Sequence, residues 1–170
     1  DNFAHTFSES RKNHPWPELD YIIEDMQQQW FSSILDIWCG NGRFLEEARK
    51  WDFTPWIYLG IDNSEWMVEE ARKLHPEYNF EVIWMQDIKN IPERYDAILF
   101  LASFHHLETR EERVQVIKEC KNILNPTGRI YMTNWNLRDQ VKYIKSHRWK
   151  GEFDIKIGEF SRYYHGFSSA

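Results

Sequence analysis

The stretch Ile34-Leu35-Asp36-Ile37-Trp38-Cys39-Gly40-Asn41-Gly42-Arg43-Phe44-Leu45 constrains this chain more than any other. Residues 34–37 form a mainly apolar run that enters a loop with two glycines, and residues 43–48 read as the opening turns of a helix. Strand, tight glycine loop and helix start are the geometry that grips a nucleotide-like ligand. Glycine suits the loop because a Cβ would hold the backbone away from the ligand. A second acid, Asp62, closes another apolar run 20 residues beyond Gly42.

The same loop excludes two common alternatives. No Gly-Lys-Ser/Thr follows it, so it is not a P-loop, and Leu45 stands where a dinucleotide fingerprint has its third glycine. An acid at the strand end, Asp36, also suits a cationic group better than a pyrophosphate.

The rest of the chain alternates strand and helix. Pro17 opens a helix that carries Leu19, Ile22, Ile23 and Met26 at helical spacing. Further strands are expected at residues 57–61, 80–84, 95–101 and 129–133. Helices are expected at 43–51, at 65–74 with Ser64 as N-cap, and from the Thr109-Arg110-Glu111-Glu112 capping box to residue 124. On that last helix Val114, Ile117 and Cys120 are expected to form the buried stripe. Asn125-Pro126-Thr127-Gly128 reads as a turn. Residues 95–101 are almost continuously apolar, as a strand covered on both faces requires. Five strand–helix alternations predict one α/β domain over 1–170, a mostly parallel sheet with right-handed crossovers and helices on both faces.

Composition narrows the function classes. A net charge of −6 disfavours wholesale nucleic-acid binding, although Arg138, Lys142, Lys145, Arg148 and Lys150 concentrate positive charge between Trp135 and Trp149. That segment reads either as a solvated helix face or as a patch for RNA phosphates. No run approaches 18 apolar residues, and the first residues are not an apolar leader, so no membrane association is expected. Cys39 and Cys120 lie in unrelated contexts, which fits a reduced cytoplasmic protein. No third ligand stands at metal spacing from the His105-His106 pair, so no metal site is expected there.

Asp36, Gly40, Gly42 and Asp62 together resemble the first motif and second acid of class I S-adenosylmethionine-dependent methyltransferases, whose fold is Rossmann-like. The resemblance implies S-adenosylmethionine as cofactor, with the loop around its methionine part and Asp62 and Asn63 at the ribose. It further implies Asp87 and Ile88 at the adenine, and Leu101 at the end of the fourth strand on the cofactor side. Trp38 departs from the motif, because relatives have glycine there; Trp66 also stands where they often do. Seven glycines fall short of the roughly 12 that average usage gives, while tryptophan reaches nine. These numbers fit the reading that some tryptophan codons here are UGA decoded as glycine. Trp38 itself reads either as packing beside the strand end or as narrowing the cofactor pocket.

Two short strings are similar to the tRNA wobble carboxymethyluridine methyltransferases. One is Phe7-Ser8-Glu9-Ser10-Arg11-Lys12-Asn13-His14-Pro15-Trp16-Pro17, and the other is Arg162-Tyr163-Tyr164-His165-Gly166-Phe167. They imply Arg11 at the cofactor carboxylate and Trp16, Arg162, Tyr163 and His165 at the substrate. Residues 1–33 would then be a lid and helix, 135–170 a substrate-side segment, and tRNA a partner; Trp16 alternatively only caps the core. His105 and His106, at a strand's carboxyl end, are the catalytic candidates, or else one caps the next helix or packs under the cofactor. Relatives continue with a helix and an antiparallel strand pair, so that pair is expected to be missing or truncated, or the edge to be covered by a partner subunit. Two rival functions stand beside this one: a small-molecule O- or N-methyltransferase, and a non-catalytic scaffold subunit.

Overall fold

The computed structural model describes residues 16–134 in full, and residues 152–157 and 160–165 as backbone. The elements in chain order are α1 (Pro17–Gln28), β1 (Ser33–Ile37), α2 (Arg43–Lys50), β2 (Ile57–Asp62), α3 (Glu65–Leu74) and β3 (Asn79–Val82). A 3₁₀ turn (Met85–Asn90), β4 (Tyr95–Leu101), a second 3₁₀ turn (Phe104–His106), α4 (Arg110–Asn122) and β5 (Leu124–Thr133) follow. β6 (Glu152–Ile157) and β7 (Phe160–His165) close the described chain.

Five strands form a wholly parallel sheet in the order β3-β2-β1-β4-β5. Strand alternation sorts its side chains into two layers. Ile34, Tyr58, Ala97 and Leu99 face α1, α2 and α3, meeting Leu19, Ile23, Phe44, Leu45, Val68 and Ala71. Leu35, Ile37, Ile98 and Phe100 face the other side, meeting Met85, Ile88, Val116 and Cys120. The crossovers after β1 and β2 therefore lie on one face, and those after β3 and β4 on the other. The direction reverses between β1 and β4, the switch point beyond whose carboxyl ends folds of this kind have their ligand crevice.

Two polar clamps hold the layers. Asp96, at the start of β4, accepts the Ser32 and Ser33 amides at 3.0 Å each and Asn125 Nδ2 at 2.8 Å. Asp25 of α1 accepts Arg129 Nη1 at 2.5–2.6 Å and the Tyr131 hydroxyl at 2.6 Å, tying the first helix to β5.

Three local expectations change. Cys120 is buried as expected, but Val114 and Ile117 are exposed and α4 buries Val116 in their place. β3 ends at Val82 rather than Trp84. The 125–128 turn lies inside β5 as a register slip, with Tyr95 opposite Leu124 and then Ala97 opposite Arg129. Beyond the sheet, β6 and β7 form a separate antiparallel pair, with Asp154 opposite Tyr163 and Glu152 opposite His165. No helix among the described residues is long and apolar enough to cross a membrane.

Candidate cofactor and acceptor site

The loop after β1 turns through three left-handed residues, Trp38 (φ +60°), Gly40 (φ +58°) and Gly42 (φ +80°). The Cys39 amide donates to the Ile61 carbonyl at 3.0 Å, which ties the loop to β2. Asp62 completes the tie: its Oδ2 accepts the Gly40 amide at 3.0 Å and its Oδ1 the Ser64 amide at 2.9 Å. Asp62 is buried, and a carboxylate at a strand end is the kind of group that accepts from ribose hydroxyls.

The two glycines serve different ends. A Cβ on Gly42 would lie 2.7 Å from His75 Cδ2, so Gly42 lets the loop sit down on α3's end. A Cβ on Gly40 would meet nothing within 4 Å. Open space at that position is what close approach of a ligand to the loop backbone requires.

Asp36 lies beneath the loop, on the α1–α3 side of the sheet. It is 1% exposed, its Oδ2 accepts the Tyr58 hydroxyl at 2.8 Å, and its Oδ1 has no hydrogen-bond partner among the described residues. Burial pushes its pKa up to about 7; the Tyr58 bond opposes this and the Asp62 charge adds to it. Tyr58, 22 residues further along the chain on the neighbouring strand β2, was not legible as Asp36's partner.

Asn63 is half-buried beside Asp62. Ile88 is fully buried and Asp87 exposed on the 3₁₀ turn after β3. Leu101 is half-buried at the end of β4 and packs on the α1–α3 layer. Asn63, Leu101, Asp87 and Ile88 thus follow the carboxyl ends of β2, β4 and β3, on one edge of the sheet. Trp16 packs against the α1–α3 core with the Arg43 guanidinium 5.1 Å from its ring, the core-capping alternative. Arg11 and the basic stretch 138–150 lie outside the described residues.

His105 is buried and His106 half-buried, with ring centroids 4.3 Å apart. The Trp38 indole lies 5.0 Å from the His106 ring, so a side chain from the end of β1 meets one from the end of β4. Ser103, which sequence reading passed over, ties the same two ends by donating to the Ile37 carbonyl at 3.0 Å. β7, the strand that carries Arg162, Tyr163 and His165, runs against the Phe104–His106 turn. Among the described residues no group of three or more His, Cys, Asp or Glu is arranged to hold a metal.

Residues 34–128 match a family described as "Methyltransferase domain". Over 133 residues the chain is 32% identical to the tRNA (carboxymethyluridine(34)-5-O)-methyltransferase of Saccharomyces cerevisiae, covering 77% of this chain and 44% of that protein. A protein of the same name from Arabidopsis thaliana is 30% identical over 124 residues, 71% of this chain and 28% of the relative. The chain thus spans less than half the length of these curated relatives. Among solved structures, an S-adenosylmethionine-dependent methyltransferase from Clostridium acetobutylicum superposes with a TM-score of 0.67 at 20% identity, over 99% of this chain and 69% of the other. The plantazolicin methyltransferase BpumL, in complex with a substrate analogue and SAH, gives 0.67 at 23% identity, over 86% of this chain and 58% of the other.

Proposed function

The chain belongs to the family of S-adenosylmethionine-dependent methyltransferase domains, and from that premise we propose that it methylates the carboxylate of a modified wobble uridine in tRNA. The observation that carries the cofactor side is Asp62, buried at a strand end and bonded to the Gly40 amide beside open space. We assign the loop backbone at Gly40 and Gly42 to the methionine part, Asp62 and Asn63 to the ribose, and Asp87 and Ile88 to the adenine. Leu101 and Arg11 complete the cofactor set. When bound, S-adenosylmethionine supplies the electrophilic methyl group.

The chain's own part is alignment and exclusion of water. A carboxylate acceptor is already ionised at neutral pH, so no strong base is required. Holding it in line in a dry crevice supplies the rate. His105 and His106 are assigned to the acceptor side, with Arg162, Tyr163 and His165, while Trp16 caps the core. The position of β7 against the histidine turn supports this, as does the resemblance to relatives named for carboxymethyluridine. A cytoplasmic site of action and a partner subunit on the β5 edge of the sheet belong to the same proposal.

The test is calorimetry with S-adenosylhomocysteine, followed by labelled-methyl transfer to tRNA bearing carboxymethyluridine. Transfer to tRNA that weakens with salt, and falls when Lys142 and Lys145 are neutralised, supports the proposal. Transfer only to small carboxylates moves the chain to the small-molecule class. One observation favours a second reading, a scaffold domain: the Trp38 indole, tilted against the His106 ring at 5.0 Å, joins the ends of β1 and β4. No heat from either the parent chain or Trp38→Gly leaves that reading standing.

A further inference from the structure

Two tryptophans stand on backbone built for glycine. Among the described non-glycine residues only Trp30, Trp38, Asp52 and Ala102 have positive φ, at +58°, +60°, +53° and +53°. Asp tolerates the left-handed region through its short polar side chain, and Ala has only a methyl to place; a bulky indole has neither advantage.

Trp30 shows the demand most clearly, because it precedes β1, at the opposite end of that strand from the glycine loop. α1 ends at Gln28 with Gln29 as C-cap. The Trp30 amide donates to the Gln27 carbonyl at 3.1 Å and the Phe31 amide to the Met26 carbonyl at 3.0 Å. Those two bonds are the Schellman closure, and Trp30 is its left-handed residue, the position that glycine dominates. Phe31 and Met26 are both buried in the same cluster, which completes the motif. The Trp30 side chain itself is 91% exposed, so no packing offsets the backbone cost.

Trp38 repeats the pattern inside the site. Its indole reaches His106 over the ends of β1 and β4, where the crossovers diverge. Its buried Nε1 has no hydrogen-bond partner among the described residues. An orphaned donor on a left-handed backbone is not a residue selected for that place. Trp66, also singled out by sequence, differs: it lies within α3, carries no positive φ, and makes no such demand.

We propose that positions 30 and 38 are glycine in the protein its source organism makes, and that glycine at 38 leaves the β1–β4 crevice open to the cofactor. The tryptophans would be readings of UGA, a codon one base from the tryptophan codon UGG and one base from the glycine codon GGA. The deficit of glycine against nine tryptophans agrees. The second half rests on the methyltransferase reading above.

The gene's codons at 30 and 38, set against that at Trp16, are the first measurement. UGA at both, with UGG at 16, is expected; UGG at 30 and 38 overturns the proposal. The second measurement compares the full chain with Trp30→Gly and Trp38→Gly by thermal melting and by calorimetry with S-adenosylhomocysteine. Each variant is expected to raise Tm by about 2–4 °C. Trp38→Gly is expected to bind at least tenfold tighter than the parent, and Trp30→Gly no tighter. Higher Tm in both variants without binding by Trp38→Gly defeats the cofactor reading while the codon assignment stands. Unchanged or lower Tm in both defeats the backbone argument itself.

Discussion

Asp62 Oδ2 accepts the Gly40 amide at 3.0 Å, so one carboxylate at the end of β2 sets the shape of the loop that leaves β1. Its other oxygen caps the turn into α3 through the Ser64 amide. Asp62→Ala strands two amides that now have charge-assisted bonds. A loss of about 2–4 kcal/mol is expected from those bonds together. Urea melts measure it, and calorimetry is expected to show loss of S-adenosylhomocysteine binding. Asp62→Asn, which keeps one acceptor, should fall between the two.

The glycines of the loop separate stability from binding. Gly42→Ala places a methyl 2.7 Å from His75 on a backbone at φ +80°. It is expected to destabilise by about 2–3 kcal/mol through strain and overpacking. Gly40→Ala meets nothing within 4 Å. Its stability cost should be only the roughly 1–2 kcal/mol of the left-handed backbone, while cofactor affinity falls at least tenfold because the methyl enters the ligand's space. Equal affinity for Gly40→Ala and parent would put the ligand elsewhere.

Asp36 makes stability depend on pH in an unusual direction. Folded Asp36 keeps its proton up to about pH 7, mainly because it is buried. The unfolded chain releases the same proton near pH 4. Between those values the folded state binds more protons, so this group's contribution to stability falls as pH rises. Above pH 7 the full cost, about 4 kcal/mol, is present. Asp36→Asn removes the titration. Urea melts at pH 4, 6 and 8 are expected to show the variant gaining on the parent at each step.

Thr109 offers a control remote from the crevice. Its Oγ1 accepts the Glu112 amide at 3.1 Å, and Glu112 returns the bond to the Thr109 amide at 3.0 Å. Thr109→Ala is expected to cost about 1 kcal/mol and to lower Tm by about 2–4 °C. Its affinity for S-adenosylhomocysteine should equal the parent's.

What could be read from the sequence was what local patterning encodes. The 95–101 run is β4 as expected, Glu65–Leu74 is α3 with Ser64 as its cap, and the 109–112 box opens α4. The buried stripe of α4 was misjudged because Val114, Ile117 and Cys120 fit a helical row as well as Val116 and Cys120 do. Which row is buried depends on how the sheet meets the helix, and no local signal records that. Asp36 reads as a loop acid, yet strand alternation turns it inward to Tyr58. Trp30 escaped notice because a helix end is usually flagged by the glycine that this sequence lacks there.

The Asp25 clamp bears on synthesis at the ribosome. Its partners, Arg129 and Tyr131, are made about a hundred residues later, and β1 must likewise wait for β4 before its second edge is filled. Helix α1 therefore emerges long before its β5 anchors exist. Nascent chains that end before β5 should present unsealed apolar surface to chaperones, and a ribosome that stalls there leaves a product that cannot close.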